Sequence, residues 1–157
     1  MDKKKIIIGV IILVVAIVLL LGKCTTSVSY TYKVETGDKI KVSLKTGNGY
    51  KLTKESPFEI KKDGKVLSQG MFITLDGYEQ YTAAVKLDPN AKVIETKEKG
   101  EIEYTFYSYS DPTTGKESEW NYIIKVKKSD TGLLIGNPKS EESAKECFDR
   151  LTITKEK

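Results

Sequence analysis

The chain has 157 residues, 39% hydrophobic and 31% charged, with no histidine and two cysteines; that suits one ordinary domain around a single core. The missing histidine removes the commonest general base, the commonest metal ligand and the usual partner of a serine or cysteine nucleophile, so no cofactor or metal is expected. Half of the +4 net charge lies in residues 1–5, and the remainder is spread evenly around a single arginine, Arg150, so no nucleic-acid partner is expected.

Three lysines, Lys3 to Lys5, precede seventeen uncharged, apolar residues from Ile6 to Gly22, and Lys23-Cys24 closes the run. As a helix that stretch spans roughly 25 Å, a little short of a typical hydrocarbon core but within the usual range. The expectation is a cytoplasmic stub over 1–5, a transmembrane signal anchor over 6–23, a short spacer over 24–28 and an extracytoplasmic domain over 29–157. Lysines before the span predict the N-terminus inside and a single pass through the plasma membrane. Leu20-Leu21-Gly22-Lys23-Cys24 also resembles a bacterial lipobox with Cys24 as the lipidated residue, although Lys23 stands where that signal needs a small residue. A cleaved, secreted form is the third reading; the length and flank of the run favour the retained anchor.

Beyond the spacer, Val28 to Val34 and Lys39 to Lys45 alternate as half-buried strands, with Ile40, Val42 and Leu44 on one face. A further strand is predicted over Phe58 to Lys62. Asp63-Gly64 marks a type I′ hairpin turn, and Gly70 in the returning strand, Lys65 to Leu75, marks a bulge. Asp76 with Glu79 has the spacing of a capping box, and Tyr78, Tyr81, Thr82 and Val85 then share one helical face up to Asp88-Pro89-Asn90. A short strand near Lys92 to Lys97 precedes two long ones. Ile102, Tyr104 and Phe106 share a face of the first, and Trp120, Tyr122, Ile124 and Val126 share a face of the second, joined by a loop over Asp111 to Glu117. Leu133-Leu134-Ile135 predicts a strand buried on both faces. Ser140 caps a last helix whose stripe is Ala144, Cys147, Phe148 and Leu151, and Thr152 to Lys155 adds a final strand.

So few helices must pack on an antiparallel sheet: an N-terminal transmembrane helix followed by one α+β domain, with a mostly antiparallel sheet and two packed helices. From Asp76 to Lys155 the order is helix, meander, helix and short strand, and the chain ends Gly132-Leu133-Leu134-Ile135-Gly136 and Glu142 to Leu151. This half is similar to the PsbP-like fold. The resemblance implies a non-enzymatic extracytoplasmic accessory module, and it transfers no site residue.

The residues themselves supply no catalytic set. Cys147 lies in an apolar helical stripe with acidic neighbours, the setting of a buried structural thiol. Glu101 and Glu103 are close in sequence, yet a glycosidase pair must flank a cleft. Asp111 to Lys116 lacks the first glycine and the hydroxyl of a phosphate loop. Tyr104, Phe106, Trp120 and Tyr122 fit cross-strand core packing, whereas Tyr107 and Tyr109 fall on the opposite phase. Those two tyrosines are the candidate contact with a protein partner in the bacterial cell envelope. The expected function is therefore a membrane-anchored, non-catalytic binding or accessory module. An envelope enzyme using carboxylate or tyrosine chemistry in a cleft between the first helix and the sheet is the alternative, and a lipoprotein or secreted form of the same domain is the other.

Overall fold

A computed structural model of the protein describes residues 26–157. The anchor expected over 6–23, its lysine flank and Cys24 lie outside the described residues, among which no helix is long and apolar enough to cross a membrane. The chain opens with β1 (Ser27–Lys33), β2 (Lys39–Lys45), β3 (Tyr50–Leu52), β4 (Phe58–Lys62) and β5 (Lys65–Thr74). Helix α1 (Leu75–Leu87) leads into β6 (Ala91–Lys99), β7 (Ile102–Ser110), β8 (Glu117–Val126) and β9 (Thr131–Asn137). Helix α2 (Glu141–Asp149) and β10 (Leu151–Glu156) end the chain. Strand pairing begins inside the stretch expected as spacer, since Thr46 N donates to Thr26 O at 2.8 Å.

All strand pairs are antiparallel, which bears out the α+β class. The strands form two sheets, however, where one was expected: β1-β2-β10 and β3-β4-β5-β9-β8-β7-β6. The cause is a long-range pairing. After α2, the chain returns to pair Leu151 with Leu44 and Ile153 with Val42, which claims the open edge of the first hairpin for β10.

Local chemistry accounts for most boundaries. The Asp63-Gly64 turn has φ of 50° and 79° at its two residues, the positive pair a type I′ turn requires. The bulge in this hairpin falls between Val66 and Ser68, opposite Ile60 and Lys61, and not at Gly70. Gly70 is small for a different reason: a Cβ there would lie 2.1 Å from the Phe58 ring. Helix α1 is capped by Thr74, whose Oγ1 accepts from Gly77 N at 3.1 Å; Asp76 sits in the first turn, so the expected capping box is absent. The helix therefore begins at Leu75, ahead of the start anticipated after Asp76, and the Leu75 N–H bonds Asp130 O at 2.9 Å. Helix α2 is capped by Ser140 as expected, with Oγ accepting from Ser143 N at 3.1 Å. Leu151 belongs to β10 rather than to the helical stripe, since pairing with β2 takes over directly after Arg150.

The larger sheet has two unlike faces. On one, Tyr104, Phe106, Tyr122, Ile124, Leu133 and Ile135 pack against α2 and the smaller sheet in a single buried cluster. Phe148 of α2 stacks on Tyr122 at 3.9 Å between ring centroids, and Tyr32 of β1 meets Phe72 at 5.0 Å. Full burial of aromatic side chains stabilises each by several kcal/mol, so this face holds the domain together. Among the described residues, the other face carries α1 alone. Tyr78 and Thr82 are half-buried, Val85 is buried, and Tyr81, expected on the same stripe, is 47% exposed. The helix seats where Gly132 removes a side chain, since a Cβ there would lie 3.1 Å from the Tyr78 Cβ.

Candidate functional site

Alternation along the strands places a second set of residues on the α1 face of the large sheet. Cross-strand register aligns Gln69 of β5 with Gly136 of β9, Gly136 with Asn121 of β8, and Asn121 with Tyr107 of β7. Tyr109 pairs with Glu119 in the neighbouring row. Helix α1 starts beside β5 and β9 and leads at its other end into β6, so it crosses the sheet obliquely. The corner it leaves open is a cleft of about 420 Å³ lined by Val66, Leu67, Ser68, Gln69, Glu119, Asn121, Gly136, Asn137 and Pro138. Leu134, expected to be buried on both faces, is half-buried on this open side, while Leu133 and Ile135 face the core and are fully covered.

Each part of the cleft has a local cause. Gly136 leaves the floor flat, and the Asn121 side chain lies across it, with Oδ1 2.9 Å from where a Cβ of residue 136 would stand. The bulge turns Leu67 and Ser68 both towards the core, and this swings Val66 out to 45% exposure at the rim. Behind the cleft the polar groups are satisfied: Asn137 Nδ2 donates to Ser68 Oγ at 3.0 Å and to Ser143 Oγ at 3.1 Å. That network ties β5, β9 and the start of α2 together, so the cleft has a rigid back wall. Gln69 Nε2 donates to Glu59 Oε1 at 3.1 Å, which orients its amide along the rim.

The two tyrosines singled out from the sequence lie beside this cleft, both half-buried, although they were expected to face outward. Burial pushes the Tyr107 phenol above its ordinary pKa, and the Glu119, Tyr81 and Asp88 groups around it push the same way. The C-terminal part of α1 therefore shields Tyr107. The loop between β7 and β8 is tied down: Asp111 Oδ1 accepts from Thr113 N at 2.7 Å and from Thr114 N at 3.0 Å, and this holds its carboxyl below the usual range. Gln69, Glu119, Asn121 and Gly136 were not picked out from the sequence. Their one signal there is a polar or small residue on the non-core phase of a strand, which many solvated positions share.

Other ionisable groups serve the fold. Asp38 Oδ2 accepts from Ser129 Oγ at 2.6 Å, Asp130 N at 3.0 Å and Thr131 Oγ1 at 3.1 Å, while Lys155 Nζ lies 2.7 Å from Oδ1. Led by the Lys155 contact, these bonds hold Asp38 well below the usual carboxylate range and join the two sheets. Lys99 Nζ donates to Phe148 O at 2.8 Å, where the carbonyl end of α2 favours a cation. Cys147 is buried and its thiol is pushed up by burial, the state of an inert structural cysteine. Glu101 precedes β7 and Glu103 lies within it, and neither lines the cleft. Among the described residues, no group of three or more cysteine or carboxylate side chains is arranged to hold a metal. No protein-family model, curated protein or solved structure matches this chain.

Proposed function

We propose that this protein is a membrane-anchored, extracytoplasmic accessory module of a bacterial cell envelope, acting by binding through the α1 face of its large sheet. The observation that carries this reading is the contrast between the cleft and a catalytic site. Its lining includes one ionisable side chain, Glu119, beside amides and apolar groups. Two-carboxylate chemistry needs a second acid held at a set distance, and a general acid needs a raised pKa. The carboxylates with a displaced ionisation, Asp38, Glu59, Glu95, Asp111 and Glu146, are all lowered by their partners. Tyr32, Tyr50, Tyr104, Tyr107 and Tyr122 are all raised, burial being the first cause, so none of these is a poised phenolate. The envelope location rests on the apolar run of residues 6–22 behind three lysines, and the accessory role is what a PsbP-like order of elements would suggest.

Photocrosslinking in intact cells tests the reading. A photoreactive side chain at Tyr109, beside the cleft, should yield discrete adducts with an envelope component, and one at the exposed Thr152 on β10 of the small sheet should not. Equal labelling from the two positions, or none from Tyr109, would refute the assigned face. Protease added outside the cells should digest the domain beyond Thr25; complete protection would overturn the orientation.

A further inference from the structure

The geometry points to a neutral saccharide as the ligand of the cleft beside α1, an inference that rests on the binding reading above and names its ligand class. Four side chains around the cleft have polar groups free to bond a ligand. Nearby, Ser108 Oγ donates to Glu117 Oε1 at 2.7 Å and Ser118 Oγ donates to the Tyr109 carbonyl at 3.3 Å. Among the described residues, no side-chain hydrogen bond engages the Asn121 amide, the Glu119 carboxylate or the hydroxyls of Tyr107 and Tyr109. The cross-strand pairs Asn121–Tyr107 and Glu119–Tyr109 keep these groups adjacent on one face.

A carboxylate and a carboxamide can each bridge neighbouring hydroxyls, and the half-buried Tyr109 beside the cleft adds aromatic surface for the C–H face of a sugar ring. Val66 and Pro138 supply further apolar surface. Among the described residues, no cationic side chain lines the cleft, so a phosphate or carboxylate ligand would meet Glu119 without a counter-charge. An extended peptide fits less well. Peptides that bind sheets pair with an exposed edge, whereas the cleft lies over β5, β9 and β8, interior strands whose backbone groups are already paired. The volume of about 420 Å³ sits at the small end of the roughly 300–1,000 Å³ typical of ligand pockets, matching one or two sugar rings. In so open a site the dissociation constant should be on the order of 1 mM.

Saturation-transfer NMR on the full chain provides the test, in a detergent whose headgroup contains no sugar. The probes are maltose, cellobiose and N,N′-diacetylchitobiose. At least one should receive magnetisation from the protein. Asn121→Ala should weaken that binding by about fivefold to tenfold, the loss of a hydrogen-bonding group. Gly136→Ala should do the same by pushing the Asn121 amide off the floor, while Thr152→Ala on the small sheet should leave binding unchanged. Unaltered melting temperatures would show that the variants fold. Absence of transfer to all three probes at about 10 mM, well above the expected dissociation constant, would overturn the saccharide assignment. A dissociation constant left unchanged by both Asn121→Ala and Gly136→Ala would overturn it too. If the probes fail while Tyr109 still crosslinks a protein, the binding face stands and its ligand is a polypeptide.

Discussion

The two faces of the seven-stranded sheet are built from alternate residues of the same strands, yet they have been given opposite tasks. Towards α2 and the small sheet, β7 and β8 contribute Tyr104, Phe106, Tyr122 and Ile124, all buried and interlocked with Phe148. Towards α1 the same strands bury Thr105 and Ile123, but also contribute Tyr107, Tyr109, Glu119 and Asn121, half-buried or exposed. One helix cannot cover seven strands, and its oblique path leaves a corner with polar capacity to spare. A sheet can thus devote one side to stability and keep the other for recognition, with a period of two residues separating the roles.

The sharpest way to break this comparison is a large-to-small change on each face. Phe106→Ala empties a fully buried position stacked on Tyr122 at 4.3 Å, and it should cost about 3–5 kcal/mol in chemical denaturation. A smaller loss would mean that the core face is less tightly packed than its burial implies.

Next in size is the link between the sheets. Asp38→Asn keeps the shape but removes the charge that Lys155, Ser129 and Thr131 bond, and should cost about 2–3 kcal/mol at neutral pH. The native carboxyl is lowered relative to the unfolded chain, so its contribution is complete above the unfolded pKa near 4. It is lost as pH falls towards the folded pKa. The stability gap between wild type and variant should therefore stay constant above about pH 5 and close below about pH 4; a gap that widened in acid would contradict the assigned bonds.

The smallest effects belong to the open face. Asn121→Ala and Tyr109→Ser, tested singly, should change stability by no more than about 0.5–1 kcal/mol, as surface substitutions do. A loss of several kcal/mol from either would make this face a second core. Tyr107 falls between the extremes because α1 shields it, which makes it the wrong residue for separating binding from folding.

Strand alternation was legible at Ile40, Val42 and Leu44 and at Tyr122, Ile124 and Val126, because a half-buried strand writes its inward face at every second position. The Asp63-Gly64 turn and the Ser140 cap were legible for the same kind of reason: each depends on the chemistry of a few adjacent residues. Strand β3 escaped notice because three residues carry too little pattern. The Thr74 cap on Gly77 and the bulge opposite Ile60 and Lys61 are local but carry no distinctive residue, whereas the assignment of Leu151 to a strand depended on partners far along the chain, in β2. Those long-range partners also decided the division into two sheets and the path of α1. The cleft lies wholly on that side of the division. Gln69, Asn121 and Gly136 are separated by up to 67 positions in sequence, and only the pairing of β5 with β9 and β9 with β8 brings them into one row. Sequence determined which residues of each strand face inward, since burying apolar area is a local choice of phase; tertiary pairing decided which outward residues meet, since that requires a register no single strand contains.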